Sequence, residues 1–303
     1  MANSFANLKK SRSSSLNKLI SESAKLSEGG APQGSGTEDL VWKPTVDKAG
    51  NGYAVIRFLP EAQGEELPWV RMFDHGFQGP GGWYIENCPT TLGGECPLCK
   101  KNNELWNSGL DSNKDIARKQ KRRLSYYSNI LVVKDPSNPQ NEGKVFLYKY
   151  GKKIWDKIND LMQPEFEDES PVNPFDFWEG ADFKLKIRQV DGYRNYDKSE
   201  FDAPSELFDG DDEKLEEVYN SLNPLQDIVA PEKFKSFDEL SQKLDRALGV
   251  SAPAPRSAYA ENVVEAPVAK TASAPKTDEI PWDTGTTDDD DDSLSFFEKL
   301  ANE

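Results

Sequence analysis

One histidine and three cysteines are all that this 303-residue chain holds of those two residue types, and all four lie between His75 and Cys99. Their spacing is His75-x12-Cys88-x7-Cys96-x2-Cys99. Thiolates and an imidazole are what zinc takes in a tetrahedral site, and the Cys96-Pro97-Leu98-Cys99 knuckle is tight enough to aim two sulfurs at one ion. Pro89, Gly93, Gly94 and Pro97 make the stretch turn-rich. Four protein ligands leave no open position, so the spacing predicts one closed, structural Zn2+ and no hydrolytic centre. Unrelated buried thiols would have no reason to gather around the single histidine. A redox CxxC would need neither Cys88 nor His75. An odd number of cysteines is a poor disulfide framework and points to a reducing compartment.

The rest of the chain is polar, with 36% apolar residues and a mean hydropathy of −0.75. That composition suits a folded centre with disordered ends. No stretch is apolar enough to span a membrane, and the Ser/Lys-rich start lacks the apolar core of a secretory signal. A net charge of −16 argues against a polyanion partner when taken as an average, but the charge is polarised. Lys114 to Asp160 carries twelve Lys/Arg against five Asp/Glu, and Thr277 to Glu303 carries ten Asp/Glu against one Lys. A basic centre with an acidic end points to nucleic-acid binding.

Local patterns predict a mainly β core. Tyr53–Leu59, Trp69–Phe73, Leu124–Lys134, Lys144–Tyr150 and Phe183–Val190 read as strands. Trp83–Glu86 follows a Gly79-Pro80-Gly81-Gly82 turn, which predicts a hairpin. Lys152–Met162 has apolar residues at helical spacing, and Phe234–Leu248 reads as a helix with Ser236 as N-cap. Residues 28–37 read as a Gly-rich linker and 251–277 as an Ala/Pro-rich one. The resulting division is an arm and linker at 1–37, a core at 38–250 with a zinc subdomain at about 72–110, a linker at 251–277 and an acidic tail at 278–303.

Cations and aromatic residues interleave across the basic centre. Arg118, Lys119, Lys121, Arg122 and Arg123 lead into Tyr126 and Tyr127; Tyr148, Lys149, Tyr150, Lys152, Lys153 and Trp155 follow; Tyr193, Arg194 and Tyr196 repeat the theme. Cations neutralise phosphates and aromatic faces stack unpaired bases. Together with Arg57 in the first strand, these residues other than Tyr127, Lys153 and Trp155 are the candidate DNA-binding set. Residues two apart share a strand face, so Tyr148 and Tyr150 should point together and Tyr126 and Tyr127 apart. Trp155, on an amphipathic helix, reads as core. In the tail, Asp288, Asp289, Asp290, Asp291 and Asp292 precede Phe296 and Phe297. A segment serving solubility alone has no use for two phenylalanines, so it reads as a partner-binding tail that can also cover the protein's own basic cleft.

Taken in order, GNGYAVIRFLP, HGF, WYIE with Cys88, CPLC, LSYYSNILVVKDP, NEGKVF and YGKKIWDKIN resemble one family over about residues 40–250. It is the replicative single-stranded-DNA-binding, helix-destabilising proteins of T-even-type tailed phages. The resemblance implies an α+β, mainly β architecture: an oligonucleotide-binding (OB) fold, a five-stranded barrel, with an inserted zinc subdomain. It implies zinc ligands at His75, Cys88, Cys96 and Cys99, stacking tyrosines at Tyr126 and Tyr148, and aromatic positions at Tyr193 and Tyr196. It also implies a cooperativity arm, here carried by Lys9, Lys10 and Arg12 and interrupted by Ser11, and an acidic tail that matches in character rather than in sequence. The partners it implies are single-stranded DNA, further copies of the chain along that DNA, and replication proteins such as a polymerase, helicase loader, primase or recombination mediator. The setting would be the cytoplasm of a bacterial host.

Two other readings compete with this one. A zinc nuclease or deaminase would need an open ligand position or an H-x-E motif, and Gly76-Phe77 follow His75. A duplex-DNA regulator would need a recognition helix, whereas the cations here flank strands and aromatic residues.

Overall fold

The computed structural model describes residues 19–20, 40–166 and 168–250. Nine strands occur among them: β1 (Val41–Trp42), β2 (Gly52–Phe58), β3 (Val70–Gly79), β4 (Gly82–Asn87), β5 (Arg123–Lys134), β6 (Val145–Tyr150), β7 (Asp182–Val190), β8 (Tyr193–Asn195) and β9 (Glu200–Phe201). Five α-helices accompany them: α1 (Pro97–Trp106), α2 (Asp111–Gln120), α3 (Lys152–Met162), α4 (Asp212–Asn220) and α5 (Phe237–Ala247). The sheet runs β1-β6-β5-β2-β7-β8, with β3 joined to β5, β4 to β3 and β9 to β7. The β1–β6 pair is parallel and the others are antiparallel. Among the described residues this path is open, not closed into the expected barrel.

Alternation along the strands sorts the core into two faces. Ala54, Ile56 and Phe58 of β2, Ile130 and Val132 of β5, and Phe183, Leu185 and Ile187 of β7 gather on one face. There α3 covers them with Ile154, Trp155, Ile158 and Met162, the stripe its spacing predicts. Leu131 and the adjoining Leu59 turn to the other face, against Phe177, Trp178 and Leu215, Val218 and Tyr219 of α4.

The β3–β4 hairpin carries the metal-ligand region away from this sheet. Phe77 and Tyr84 from the hairpin, Cys88, Cys96 and Leu98 pack against Leu240, Leu244 and Ala247 of α5. Ser236 caps α5 as predicted, in a reciprocal box with Glu239. Lys235 and Lys243 both pair with Glu86 of β4. The hairpin turn needs its glycines because it rests on the end of α5: Gly81 N–H donates to the Ala247 carbonyl at 2.8 Å, and a Cβ on Gly81 would lie 1.8 Å from the Arg246 carbonyl oxygen.

Helices α1 and α2 had no counterpart in the sequence reading. Their apolar stripes are thin, since α1 buries only Pro97 and Leu98 and α2 only Ala117 and Gln120, so helical periodicity is nearly silent.

Candidate metal centre and nucleic-acid surface

Strand β3 places His75, the loop after β4 places Cys88, and α1 places Cys96 at its N-cap and Cys99 in its first turn. Their ligand atoms all lie within 4.8 Å of one another. His75 Nε2 is 3.5 Å from both Cys96 Sγ and Cys99 Sγ, and Cys88 Sγ is 3.6 Å from Cys99 Sγ. Zinc–ligand bonds of about 2.0–2.3 Å give tetrahedron edges of about 3.4–3.8 Å, so donor set and spacing both suit a four-coordinate zinc ion. His75 Nδ1 lies 3.1 Å from the Gln120 carbonyl. A proton on Nδ1 donates to that oxygen and leaves the Nε2 lone pair facing the sulfurs. His75, Cys88 and Cys96 are buried and Cys99 is half-buried.

With no ion between them the four groups share protons instead, and a metal would have to displace those protons. Burial alone would lower the pKa of His75, but the adjacent sulfurs of Cys88 and Cys96 outweigh it and raise it to about 9. Hydrogen bonds from Cys96 and Cys99 push the Cys88 thiol down. Burial, then the neighbouring thiolates, push the Tyr84 phenol up, and its ring sits edge-on to His75 at 6.3 Å.

A short relay joins the metal ligands to the basic run. The Thr90 hydroxyl is 3.1 Å from Cys88 Sγ and accepts a hydrogen bond from Arg122 Nη1 at 2.6 Å. The Arg122 guanidinium also lies over the Phe73 ring, 4.1 Å from its centroid. Arg71 is the next cation inward. Burial lowers its pKa, and its electrostatic neighbours are Tyr126 and Arg122. Tyr126 then stacks on Trp155 at 4.4 Å and 5°, and on Tyr150 at 5.7 Å and 16°. Tyr150 stacks on Tyr148 at 5.6 Å, and Tyr148 meets Trp42 edge-on at 5.4 Å. Cations and rings thus follow one another from the metal site to the face of the sheet that α3 covers.

Strand alternation holds where it was predicted. Tyr148 and Tyr150 share a face, while Tyr126 and Tyr127 join different core clusters. Trp155 is core, 8% exposed. Tyr196 packs at the margin of the main core cluster, and Arg194 and the exposed Tyr193 lie on β8. Lys152 pairs with Asp156 at 2.7 Å, and Arg118 pairs with Asp115 at 2.6 Å, with its guanidinium 5.5 Å from the Trp106 ring. Lys119 lies in the last turn of α2 and Lys121 caps it.

One expected DNA contact, Arg57, needs correction. Arg57 is fully buried on the α4 side of the sheet, bonded to Asp182 at 3.1 Å and to the carbonyls of Phe177 and Ser205. Its strand position turns it away from the face of Ile56 and Phe58, so it braces the core and has no access to a phosphate. Arg123 and Lys149 alternate onto the face opposite Tyr126 and Tyr150, where both pair with Asp74, at 2.6 and 3.2 Å. The arm residues Lys9, Lys10 and Arg12, and the tail residues Asp288–Asp292, Phe296 and Phe297, lie outside the described residues.

Sequence reasoning missed Arg71, Asp74 and Trp106. Trp106 is 45% exposed and lines a groove of about 700 Å3 with Cys99, Lys100, Asn103, Arg118 and Lys121. A tryptophan between CPLC and the basic run was the available signal.

An open, mainly β sheet, a Cys3His cluster that could hold a metal ion and a run of cations and rings between them make up the arrangement of a binding protein. The chain belongs to the family described as gp32 DNA binding protein like, whose model matches residues 50–248. It is 45% identical over 241 residues to the single-stranded DNA-binding protein of Enterobacteria phage T2, covering 77% of this chain and 78% of that one. The corresponding protein of Enterobacteria phage T4 is 44% identical over 240 residues, with 77% of each chain covered. The single-stranded DNA-binding protein of Enterobacteria phage RB70 is 42% identical over 114 residues, which span 36% of this chain and 92% of that one.

Proposed function

We propose that this chain is a non-catalytic, sequence-tolerant single-stranded-DNA-binding protein that coats and unfolds template strands in phage replication, recombination and repair, in the cytoplasm of a bacterial host. The observation that supports this most is the succession Arg122, Arg71, Tyr126, Tyr150, Tyr148. Cations there stand beside rings without a recognition helix, the pattern that suits unpaired bases and a flexible backbone. The names of its T2 and T4 relatives support the same reading.

Within it, β1, β2, β5, β6 and β7 correspond to the five strands of an OB fold, and the metal is one structural Zn2+ on His75, Cys88, Cys96 and Cys99. Bound zinc would hold the lobe that positions Thr90 and, through it, Arg122. Arg118, Lys119, Lys121, Arg122 and Arg194 supply phosphate contacts. The segment 1–37, with Lys9, Lys10 and Arg12, serves cooperative contact between copies on DNA. The segment 278–303 docks replication proteins and masks the basic cleft; deleting it should tighten oligonucleotide binding at low salt, and equal binding across a salt titration would remove the masking role.

The deciding experiment is titration with poly-dT and with duplex while following Trp and Tyr fluorescence. Salt-sensitive quenching by poly-dT is expected. Preference for duplex, or turnover of the oligonucleotide, overturns the reading.

A further inference from the structure

The three sulfurs of the metal lobe differ in what can reach them. Cys88 is 0% and Cys96 3% exposed, whereas Cys99 is half-buried. Cys99 sits in the first turn of α1 and borders the groove of about 700 Å3 that Trp106 and Ala117 also line. Cys96 borders the same groove, but its low exposure leaves little of it open to a reagent. The accessible sulfur has a second one at hand, since Cys88 Sγ lies 3.6 Å from Cys99 Sγ. The sulfurs of a disulfide are about 2.05 Å apart, so an approach of about 1.5 Å joins the two. Cys88 lies in the loop between β4 and the turn Pro89–Leu92, so it can make that approach without unwinding α1.

We propose that Cys99 is an oxidation site: a peroxide entering the groove reacts there first, and Cys88 then closes a disulfide with it and opens the metal site. The proposal rests on the zinc reading above and adds to it the point at which the site is undone. A zinc-bound sulfur is already a thiolate, the form that attacks oxidants. The Cys99 thiolate attacks one oxygen of hydrogen peroxide; the S–O bond forms, the O–O bond breaks and hydroxide leaves. The Cys88 thiolate then attacks the Cys99 sulfur; the S–S bond forms, the S–O bond breaks and a second hydroxide leaves. The sulfur pair has lost two electrons and the peroxide has gained them. His75 and Cys96 remain, and two ligands do not hold a structural zinc ion. Cys88 is also the sulfur 3.1 Å from the Thr90 hydroxyl that accepts from Arg122, so the new bond reaches the cation beside the lobe. A thiol reductant reverses the disulfide, which makes the change a switch rather than damage.

The test uses the full wild-type chain loaded with zinc, so no variant has to fold. N-ethylmaleimide at less than one equivalent, followed by peptide mass mapping, should label Cys99 several-fold ahead of Cys88 and Cys96. Hydrogen peroxide should then give a Cys88–Cys99 disulfide, with Cys96 still open to alkylation after unfolding. A metallochromic indicator should register one zinc ion for each disulfide formed, and dithiothreitol with added zinc should restore the loaded protein. Labelling that begins at Cys88 or Cys96 overturns the proposal. So does a Cys96–Cys99 disulfide, or zinc released by peroxide while all three cysteines stay reduced. A chain that takes up no zinc when mixed with it would instead sink the zinc reading, and metal analysis before the peroxide step tells the two failures apart.

Discussion

The candidate metal lobe and the aromatic face are built in opposite ways. The lobe gathers four candidate ligands from 25 consecutive residues, buries three of them and brings their ligand atoms within 4.8 Å of one another. The aromatic face draws Trp42, Tyr126, Tyr148 and Trp155 from three strands and a helix far apart in sequence, and brings them together largely through ring–ring contacts. The first arrangement is rigid and closed; the second can exchange one apolar neighbour for another. A binding protein gains from the pairing, because a fixed wall carries the cations while an adaptable one accepts any base.

Chelation should break the comparison most. Removing the metal should make residues 75–99 protease-sensitive and lower oligonucleotide affinity by an order of magnitude or more while the sheet stays folded. A metal-free protein with full affinity and protease resistance would show that the lobe braces nothing. The metal-free lobe should also respond to pH in a defined direction. His75 is raised from 6.5 to about 9 there, so its contribution to stability is complete below pH 6.5 and is lost as pH rises through about 9. Metal affinity should run the other way, because the ligand must be deprotonated. Thermal melts of the metal-free protein that are flat over that interval would contradict the first part.

Arg57→Ala comes next. It leaves the half-buried Asp182 and two carbonyls without the guanidinium that fills the core beside them, and should lower stability by about 3–5 kcal/mol while leaving the salt dependence of DNA binding unchanged. A reduced salt slope in a variant that still folds would return Arg57 to the DNA surface. Tyr148→Ala should weaken poly-dT binding by about 1–3 kcal/mol, beyond any loss of stability seen in denaturant melts. Unchanged affinity would make Tyr148 a core residue alone. The smallest effect is expected for Arg122→Gln, which should reduce the slope of log affinity against log salt by about one and weaken binding alike for all sequences.

What could be read from the sequence follows the same division. The metal ligands were legible because residue type and short spacing carry the information, and no partner strand need be known. Helix α3 was legible for a similar reason, its apolar residues recurring at one period. Arg57 was misplaced because a strand pattern tells which residues alternate but not which face the ligand meets; its neighbour Ile56 goes to the main core and it goes to the other side. That Arg123 and Lys149 share Asp74 as a partner was not legible, because Asp74 is distant from both in sequence and reaches them only through the pairing of β3, β5 and β6. Helices α1 and α2 escaped because a short helix on a metal site needs little apolar surface of its own. The tyrosine pairs came out correctly, since a period of two is all that their relation requires.

The hydroxyl of Thr90, shared between Cys88 and Arg122, has a thermodynamic corollary. If filling the ligand set strengthens the grip on a phosphate chain by some factor, occupation by that chain must strengthen retention of the ion by the same factor, because the cycle closes. Protein sitting on template should therefore surrender its ion to a chelator less readily than protein in solution, and the ratio of the two ion affinities would measure how much of the grip passes through the metal lobe.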